Sequence, residues 1–419
     1  MSDVKDPFRL AEEIRESEAA RIAKLKGKFE AGEHQWLGMR GAAAACEALK
    51  KLGVDIGSFQ RLRRRAGDVE LSYGEIVALS GDFYGSPEAL FEERPPPWAW
   101  LTQPNDLGQL RKLFAAELSW IEAENRATTA GYPNNTLGFW WNAKSYLELA
   151  EDNTDHFGWH NMLAYCRHHQ RALEYARDAA TRGSNDENWL RALYWNGFSD
   201  HFLTDGFAAG HIRVPRAEIR TWATRQGYSP KLAGLLSKVL HDQDGHVHSV
   251  HAEGEAGLGD EEGLAVENAK GDRWYTRCDG QLFLVSKDAT APLIAEPIAA
   301  VAASLVELFT AQAEKQLPPG NYAALKHVPF PRRGEPGLSD KFRDVSQERI
   351  GELLDSFTWY TKLPFIEASL DKQNIAALFA ALPDLMQEFR NNVARDCEKD
   401  LNLKRRLPER YIEGFLNIG

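Results

Sequence analysis

Stretches in which apolar residues recur every three or four positions alternate with short stretches rich in glycine and proline. Residues three and four apart lie on one side of an α-helix, so this spacing predicts helices. We expect them at residues 8–30, 37–51, 106–126, 140–151, 158–182, 186–205, 229–242 and 289–316, with a helical segment at 345–419. The pattern predicts an all-α fold, a multi-helix bundle.

Two serines, Ser86 and Ser229, mark predicted helix starts, because a serine hydroxyl can accept from the first backbone N–H groups of a helix. Ser72 precedes a short apolar stretch, and Ser86 and Ser229 are each followed by proline, which favours the first helical position. Residues 252–285 differ: glycine and aspartate interrupt short β-prone runs there, which predicts a long loop with one hairpin.

Proline marks the predicted domain boundary. Five of the nineteen prolines lie in residues 317–340, which we interpret as a linker between residues 1–316 and a C-terminal helical extension, residues 341–419.

Composition excludes some classes of protein. The 419 residues include 61 acidic and 50 basic side chains, a net charge of −11, which argues against a stable nucleic-acid partner. The sequence has no run of about 18 consecutive apolar residues, so no transmembrane helix is predicted. The first thirty residues are charged throughout and predict no secretory signal, which leaves a cytoplasmic location or signal-independent export open. The oligomeric state is not indicated.

Histidine is distributed unevenly. Ten of the twelve histidines lie between His156 and His251, interleaved with aspartate and glutamate. Neutral imidazole nitrogens and carboxylate oxygens are the ligands that zinc takes in proteins. The four cysteines lie far apart and predict neither a cysteine-based zinc site nor a disulfide framework.

The segment 199–213 carries the clearest spacing for metal ligands. His201 and Asp205 are four residues apart, so on a helix they lie on one face, at a distance that one ion can bridge. Gly206 and Gly210 loosen the chain, which allows His211 to turn back toward them. The alternative is a hydrogen-bonded pair that caps a helix, with His211 at the surface.

Other candidate residues lie before and after this segment. His34 is followed closely by Trp36, and Asp82 ends an apolar stretch next to glycines. Asp155 and His156 lie near the start of a long predicted helix. A histidine with a carboxylate one turn later occurs twice, as His241 with Asp244 and as His251 with Glu255; we favour the first pair because it ends a predicted helix.

In order and type these pieces resemble the zinc-dependent phospholipase C family, whose wider superfamily includes zinc nucleases. The family motif His-x3-Asp-x5-His is matched by His201, Asp205 and His211, and the other pieces follow the family order over residues 33–255. The resemblance implies an α-helical catalytic domain, residues 1–316, with two or three zinc ions in a cleft.

The resemblance also implies ligand sets. One ion is expected on Asp82, His156, His201 and Asp205. A second is expected on His211, His241 and a nearby carboxylate, Asp244. A third is expected on His34 and Asp205. The family's amino-terminal tryptophan ligand has no counterpart because 33 residues precede His34; Glu33 is a candidate replacement.

The implied activity is hydrolysis of a phospholipid head-group ester, in which zinc lowers the pKa of a bound water to about 7 and supplies hydroxide. Asp82 or Asp155 would orient or deprotonate that water. Arg213, Trp141 and Trp159 are candidates for binding the phosphate and an apolar or cationic group. The expected partner is a phospholipid or another phosphodiester, with transient contact to a membrane surface.

Two alternatives remain open from the sequence. One is a zinc nuclease-type phosphoesterase on the same scaffold, and the other is a metal-stabilised helical binding protein without catalytic activity. A lipid substrate needs an apolar rim around the site, whereas a single-stranded nucleic acid needs stacking rings and basic residues.

Overall fold

A computed structural model describes residues 31–65, 69–92, 105–122, 153–180, 187–244, 263–277, 290–361 and 370–419, with single positions between 135 and 149. The predicted helices at 8–30 and 140–151 lie outside these residues or are described only at single positions. The protein is an all-α multi-helix bundle with small sheets, as predicted.

The helices of the N-terminal part are α1 Ala31–Leu49, α2 Tyr73–Leu79, α3 Pro87–Glu92, α4 Leu107–Glu122, α5 Gly158–Ala179, α6 Glu187–Asp205, α7 Ala209–Ile212, α8 Arg216–Arg225, α9 Pro230–Asp244 and α10 Pro292–Glu314. The C-terminal part adds α11 Leu338–Lys341, α12 Gln347–Thr361, α13 Lys372–Lys399, α14 Leu401–Arg406 and α15 Glu409–Leu416. Short 3-10 turns precede or join them at Lys50–Leu52, Ile56–Phe59, Thr154–His156 and Ala323–Lys326.

The centre of the bundle is formed by α5 and α6, which pack along each other, with α1, α2 and α10 packed around them. Almost every residue of α6 from Ala192 onward is buried, because helices cover it on several sides. A polar residue near the end of α6 is therefore held in a dry, rigid environment.

Three serines cap helix starts. Ser72 accepts from the backbone N–H of Glu75, and Glu75 Oε2 accepts from the backbone N–H of Ser72, which forms a complete capping box at α2. Ser86 and Ser229 accept from backbone N–H groups at the starts of α3 and α9. The predicted helix starts at Ser86 and Ser229 are confirmed, and Ser72 caps a further helix, α2.

One helix of the described part, α10, is long and apolar enough to cross a membrane by length and composition. More than half of its most apolar window is buried inside the protein, and α10 packs against α1, α5 and α6. Its apolar surface is thus used in the core of the bundle.

The predicted hairpin in 252–285 is formed by β3 Leu264–Glu267 and β4 Arg273–Thr276, which pair antiparallel. A third strand, β5 Phe330–Pro331, pairs with β3 and comes from the segment predicted as a linker. A separate short ribbon pairs β1 Leu62–Arg63 with β2 Glu70–Leu71. Residues 317–340 therefore belong to the folded body, and a linker is the wrong interpretation.

The C-terminal helices pack directly on the N-terminal part. Trp159 of α5 donates its Nε1–H to Asp396 of α13 (3.1 Å) and packs against Phe415 of α15. Asn392 of α13 donates to Glu218 of α8 (2.6 Å). The residues after 340 extend the core of the bundle rather than forming a separate unit.

Candidate metal centre

The motif in α6 places its two polar side chains side by side. His201 and Asp205 lie one turn apart at the end of α6, with His201 Nε2 3.6 Å from Asp205 Oδ2. Both side chains are buried, at 0 % and 1 % exposure. The predicted placement on one helix face is confirmed.

A second histidine approaches from the 3-10 turn that precedes α5. His156 Nδ1 lies 2.8 Å from Asp205 Oδ2 and 3.3 Å from His201 Nε2. The ligand atoms of His156, His201 and Asp205 all lie within 4.8 Å of one another. His156, which precedes the other two residues by 45 and 49 positions in sequence, thus meets them at one point.

Two further predicted ligands lie on the other side of His201. His34 of α1 places Nε2 3.4 Å from Asp205 Oδ1, and its ring lies 4.2 Å, centroid to centroid, from that of His201. Asp82 follows α2 and is half-buried. Ligand atoms of His34, Asp82 and His201 also lie within 4.8 Å of one another, so two groups of three share His201.

Hydrogen bonds fix which ring nitrogens hold a proton. His201 Nδ1 lies 3.1 Å from the carbonyl oxygen of Val77, and a carbonyl only accepts, so Nδ1–H donates to it. His34 Nδ1 lies 2.7 Å from Thr204 Oγ1, whose own proton goes to the carbonyl oxygens of Asp200 or His201 at 2.9 Å. Both histidines therefore turn Nε2, with its lone pair, toward Asp205, as metal ligands held by outer hydrogen bonds do.

Burial sets the charges of this cluster. Burial, together with neighbouring His201, lowers the pKa of His34 well below its usual value. Burial also lowers the pKa of His201, although Asp205 and Asp82 oppose the shift. Burial alone would raise the pKa of Asp205, but the imidazoles of His211, His201 and His156 outweigh it and hold that pKa below its usual range. Neutral imidazoles facing a carboxylate are the protonation states that bind metals.

The spacing of the ligand atoms fits one ion. Four ligands at about 2.0–2.1 Å from a tetrahedral zinc ion lie about 3.3 Å from one another. In the group of His156, His201 and Asp205, the distances from His201 Nε2 to His156 Nδ1 (3.3 Å) and to Asp205 Oδ2 (3.6 Å) are close to this value, and His156 Nδ1 lies closer to Asp205 Oδ2, at 2.8 Å. The donor set therefore fits a zinc-like cation.

Gly81 keeps the space beside His201 open. Its φ of 71° lies in the left-handed region, and a Cβ built there would lie 2.5 Å from His201 Nε2 and 2.6 Å from His156 Cε1. A side chain at this position would occupy the space that a ligand of both imidazoles needs.

His211 turns back toward the cluster as predicted. After the turn at Gly206, the short helix α7 brings His211 Nδ1 within 2.7 Å of the His156 carbonyl oxygen, which accepts its proton, and 4.0 Å from Asp205 Oδ1. The His241 ring lies 4.9 Å from the His211 ring, and His241 Nδ1 lies 2.8 Å from Asp242 Oδ1. The two rings are neighbours, and His211 adjoins the group of His156, His201 and Asp205.

Asp244, predicted as the carboxylate ligand beside His241, has other partners. Arg213 donates from Nε and Nη2 to its two oxygens at 2.7–3.1 Å, and Lys341 of α11 contacts Asp244 Oδ1 at 3.3 Å. All three side chains are at most 2 % exposed. The prediction that Asp244 is a ligand and that Arg213 binds phosphate is wrong in this structure, because the two residues neutralise each other in the interior.

Of the remaining predicted site residues that the structure describes, neither Asp155 nor Trp159 joins the cluster. The Asp155 side chain is 50 % exposed and lies 3.8 Å from Arg167, so its predicted catalytic role is not supported. Trp159 is fully buried in the core, which contradicts its predicted contact with substrate. Trp141, and the alternative pair His251 and Glu255, lie outside the described residues. Glu33 is buried.

Sequence reasoning missed the residues that orient the ligands. Val77 acts through its backbone carbonyl, which no side-chain pattern reveals. Thr204 lies three residues after His201 in the same motif, and Gly81 directly precedes Asp82. The Thr204 hydroxyl, one helical turn from His201, and Gly81, beside Asp82, are the two features of the sequence that could have indicated these orienting roles.

Replacing Gly81 with alanine is expected to weaken zinc binding about 100-fold, because the new Cβ would crowd His201 Nε2. Gly227→Ala is the matched control: Gly227 has a similar φ of 78°, but nothing lies within 4 Å of its Cβ position. Both variants carry the backbone strain of alanine at positive φ. Zinc affinity measured by chelator competition should fall for Gly81→Ala alone, and equal losses in both variants would contradict the steric explanation.

The fold and site define an all-α protein with a buried His/Asp cluster of metal-ligand geometry among its described residues. No protein-family model, curated protein or solved structure matches the chain. Its chemistry is therefore argued from the geometry of this cluster.

Proposed function

We propose that the chain is a metal-dependent phosphodiesterase that hydrolyses a phospholipid head-group ester, in the manner of the zinc-dependent phospholipase C family. One observation carries the proposal. The buried Asp205 carboxylate has ring nitrogens of His34, His156 and His201 within 3.6 Å, at 3.4, 2.8 and 3.6 Å. This donor set suits zinc, with Asp82 on the side of His34 and His201.

A zinc ion held there would supply Lewis acidity and an activated water at neutral pH. The residues of the chain have distinct tasks around it. Asp205, His34, His156 and His201 would hold the cation. Asp82 is half-buried whereas His34, His201 and Asp205 are at most 1 % exposed, so Asp82 is the group placed to orient a water molecule or accept its proton.

The surroundings of the cluster favour a small or lipid phosphodiester over a nucleic acid. The Phe202 ring contacts His156 and His201, and the Phe157 ring stacks on His211. Arg213 is bound to Asp244, and the guanidinium of Arg216 is buried against the Phe157 ring. The arginines nearest the motif thus lie behind aromatic rings or in the interior, where they cannot follow a polyanionic strand.

The extent of burial favours one second candidate, a metal-stabilised helical protein without catalytic activity. Structural zinc sites are closed by protein ligands, whereas catalytic sites keep one position open. His34, His201 and Asp205 are almost fully buried, as in a closed site, and the half-buried Asp82 is the feature that favours an open one.

Purified protein should release phosphocholine from phosphatidylcholine, lose this activity with EDTA and recover it with added zinc. Single-stranded DNA is assayed in parallel. Cleavage of DNA in place of lipid would favour the alternative hypothesis of a zinc nuclease-type phosphoesterase. Zinc binding without hydrolysis of either substrate would favour the structural role. His201→Ala should lose the activity, and His160→Ala, which removes a histidine paired with Glu218 outside the cluster, should keep it.

A further inference from the structure

Asp200, directly before His201 in α6, is the centre of a second buried polar group. Its side chain is 0 % exposed. Tyr73 of α2 donates its hydroxyl to Asp200 Oδ2 at 2.6 Å, and Ser304 of α10 donates to Asp200 Oδ1 at 2.7 Å. The carboxylate thus joins three helices.

Asn196, one turn earlier in α6, completes this group. Its Nδ2 donates to the hydroxyl oxygens of Tyr73 (2.7 Å) and Ser304 (2.9 Å). Its Oδ1 accepts from His169 Nδ1 of α5 at 2.8 Å. Four helices, α2, α5, α6 and α10, therefore meet in one hydrogen-bonded network.

The contact between Tyr73 and Asp200 lies one turn from the candidate metal centre on both helices. Val77, four residues after Tyr73, offers the carbonyl oxygen that fixes the His201 ring. Thr204, four residues after Asp200, accepts from His34 and donates to the Asp200 carbonyl oxygen. Gly81 and Asp82 follow at the end of α2. Any sliding of α2 along α6 would move these groups relative to His201.

We propose that Tyr73 and Asp200 are positioning residues of the metal centre: their hydrogen bond sets the register of α2 on α6 that orients His201 and brings Asp82 to it. This inference rests on the proposed metal-binding function. Fixed outer contacts of this kind hold ligands in the geometry that a metal requires.

An all-apolar contact could fill the same space, so stability alone does not account for a buried carboxylate here. A hydrogen-bonded polar pair is satisfied in one register, whereas apolar side chains tolerate several. The directional contact suits a place where small displacements change ligand geometry.

Tyr73→Phe removes the hydroxyl and keeps the ring, and Tyr194→Phe is the matched control. Tyr194 is also fully buried in α6, and its hydroxyl donates to the backbone carbonyl of Leu62 at 3.0 Å, away from the cluster. Tyr73→Phe loses two buried hydrogen bonds, one to Asp200 and one from Asn196, whereas Tyr194→Phe loses one, so the larger stability loss is expected in Tyr73→Phe. Asp200→Asn keeps the shape of the side chain and changes its charge and donor pattern.

Two readouts separate positioning from stability. The first is affinity for Zn²⁺ alone, by chelator competition: a loss of about 10-fold is expected in Tyr73→Phe and Asp200→Asn, and none in Tyr194→Phe. The second, in zinc-free protein, is the exchange with water of the His201 Nδ1 proton by NMR, which should accelerate in Tyr73→Phe and not in Tyr194→Phe.

Unchanged zinc affinity and unchanged exchange in Tyr73→Phe would overturn the inference while leaving the metal centre intact. A wild-type protein without zinc affinity would instead overturn the proposed function. In that case the exchange experiment still decides whether Tyr73 orients His201: faster exchange in Tyr73→Phe alone supports the orienting contact, and equal exchange in all variants overturns it.

Discussion

Asp205→Asn is expected to remove tightly bound zinc and all phosphodiester hydrolysis. The substitution keeps the size of the side chain but removes the negative charge beside which ring nitrogens of His34, His156 and His201 lie. A carboxylate is a far better zinc ligand than an amide, and here it contributes to both sides of the cluster. We expect zinc affinity to fall by more than the roughly 100-fold that losing an outer contact of a ligand costs.

The measurement is zinc per chain by elemental analysis after dialysis, with hydrolysis of phosphatidylcholine in parallel. Asp155→Asn is the control, because the Asp155 side chain is half exposed and contacts Arg167 instead of the cluster. Wild-type zinc content in Asp205→Asn would show that Asp205 is not a ligand. Loss of zinc in both variants would point to a general effect of charge.

Arg213→Met is expected to lower the free energy of unfolding by about 3–5 kcal/mol, because removing one partner of a buried ion pair leaves the other charge uncompensated. Arg213 forms a bidentate contact with Asp244 and also donates to the Pro336 carbonyl oxygen at 2.7 Å. Burial raises the pKa of Asp244, but Arg213 and Lys341 outweigh this and lower it overall. Without Arg213, a buried carboxylate keeps Lys341 as a weaker partner.

Urea denaturation of the full chain measures this loss. The triple variant Arg213→Met, Asp244→Leu, Lys341→Met removes all three charges of this buried group. It should therefore be more stable than the single variant although it has two more substitutions. A single variant within about 0.5 kcal/mol of wild type, the range of surface substitutions, would contradict the interpretation of these residues as a structural pair. It would reopen a substrate role for Arg213.

Local sequence signals predicted the elements well, and non-local contacts explain the errors. Ser86 and Ser229 act through backbone groups three residues away, so the sequence alone locates their helix starts. The segment 317–340 was interpreted as a linker because its prolines are visible in the sequence. Its strand β5 forms only by pairing with β3, more than sixty positions earlier, and no local pattern shows that contact.

The same distinction explains the candidate site. His201 and Asp205 meet because helix geometry fixes residues four apart, and the glycines after them predicted the return of His211. Asp244 has the spacing from His241 that a ligand pair requires. Its carboxylate oxygens are nevertheless bound by Arg213, which follows α7, and by Lys341 of α11. Ion pairs between segments distant in sequence therefore explain why Asp205, and not Asp244, lies beside the histidines.

X-ray absorption at the zinc edge on zinc-loaded wild-type protein tests the central claim most directly. The account predicts at least one ion per chain bound by histidine nitrogen and carboxylate oxygen at about 2.0–2.2 Å, with zinc lost or the imidazole signal weakened in His201→Ala. A protein that retains no zinc, or a spectrum without imidazole that is the same in wild type and His201→Ala, would contradict it.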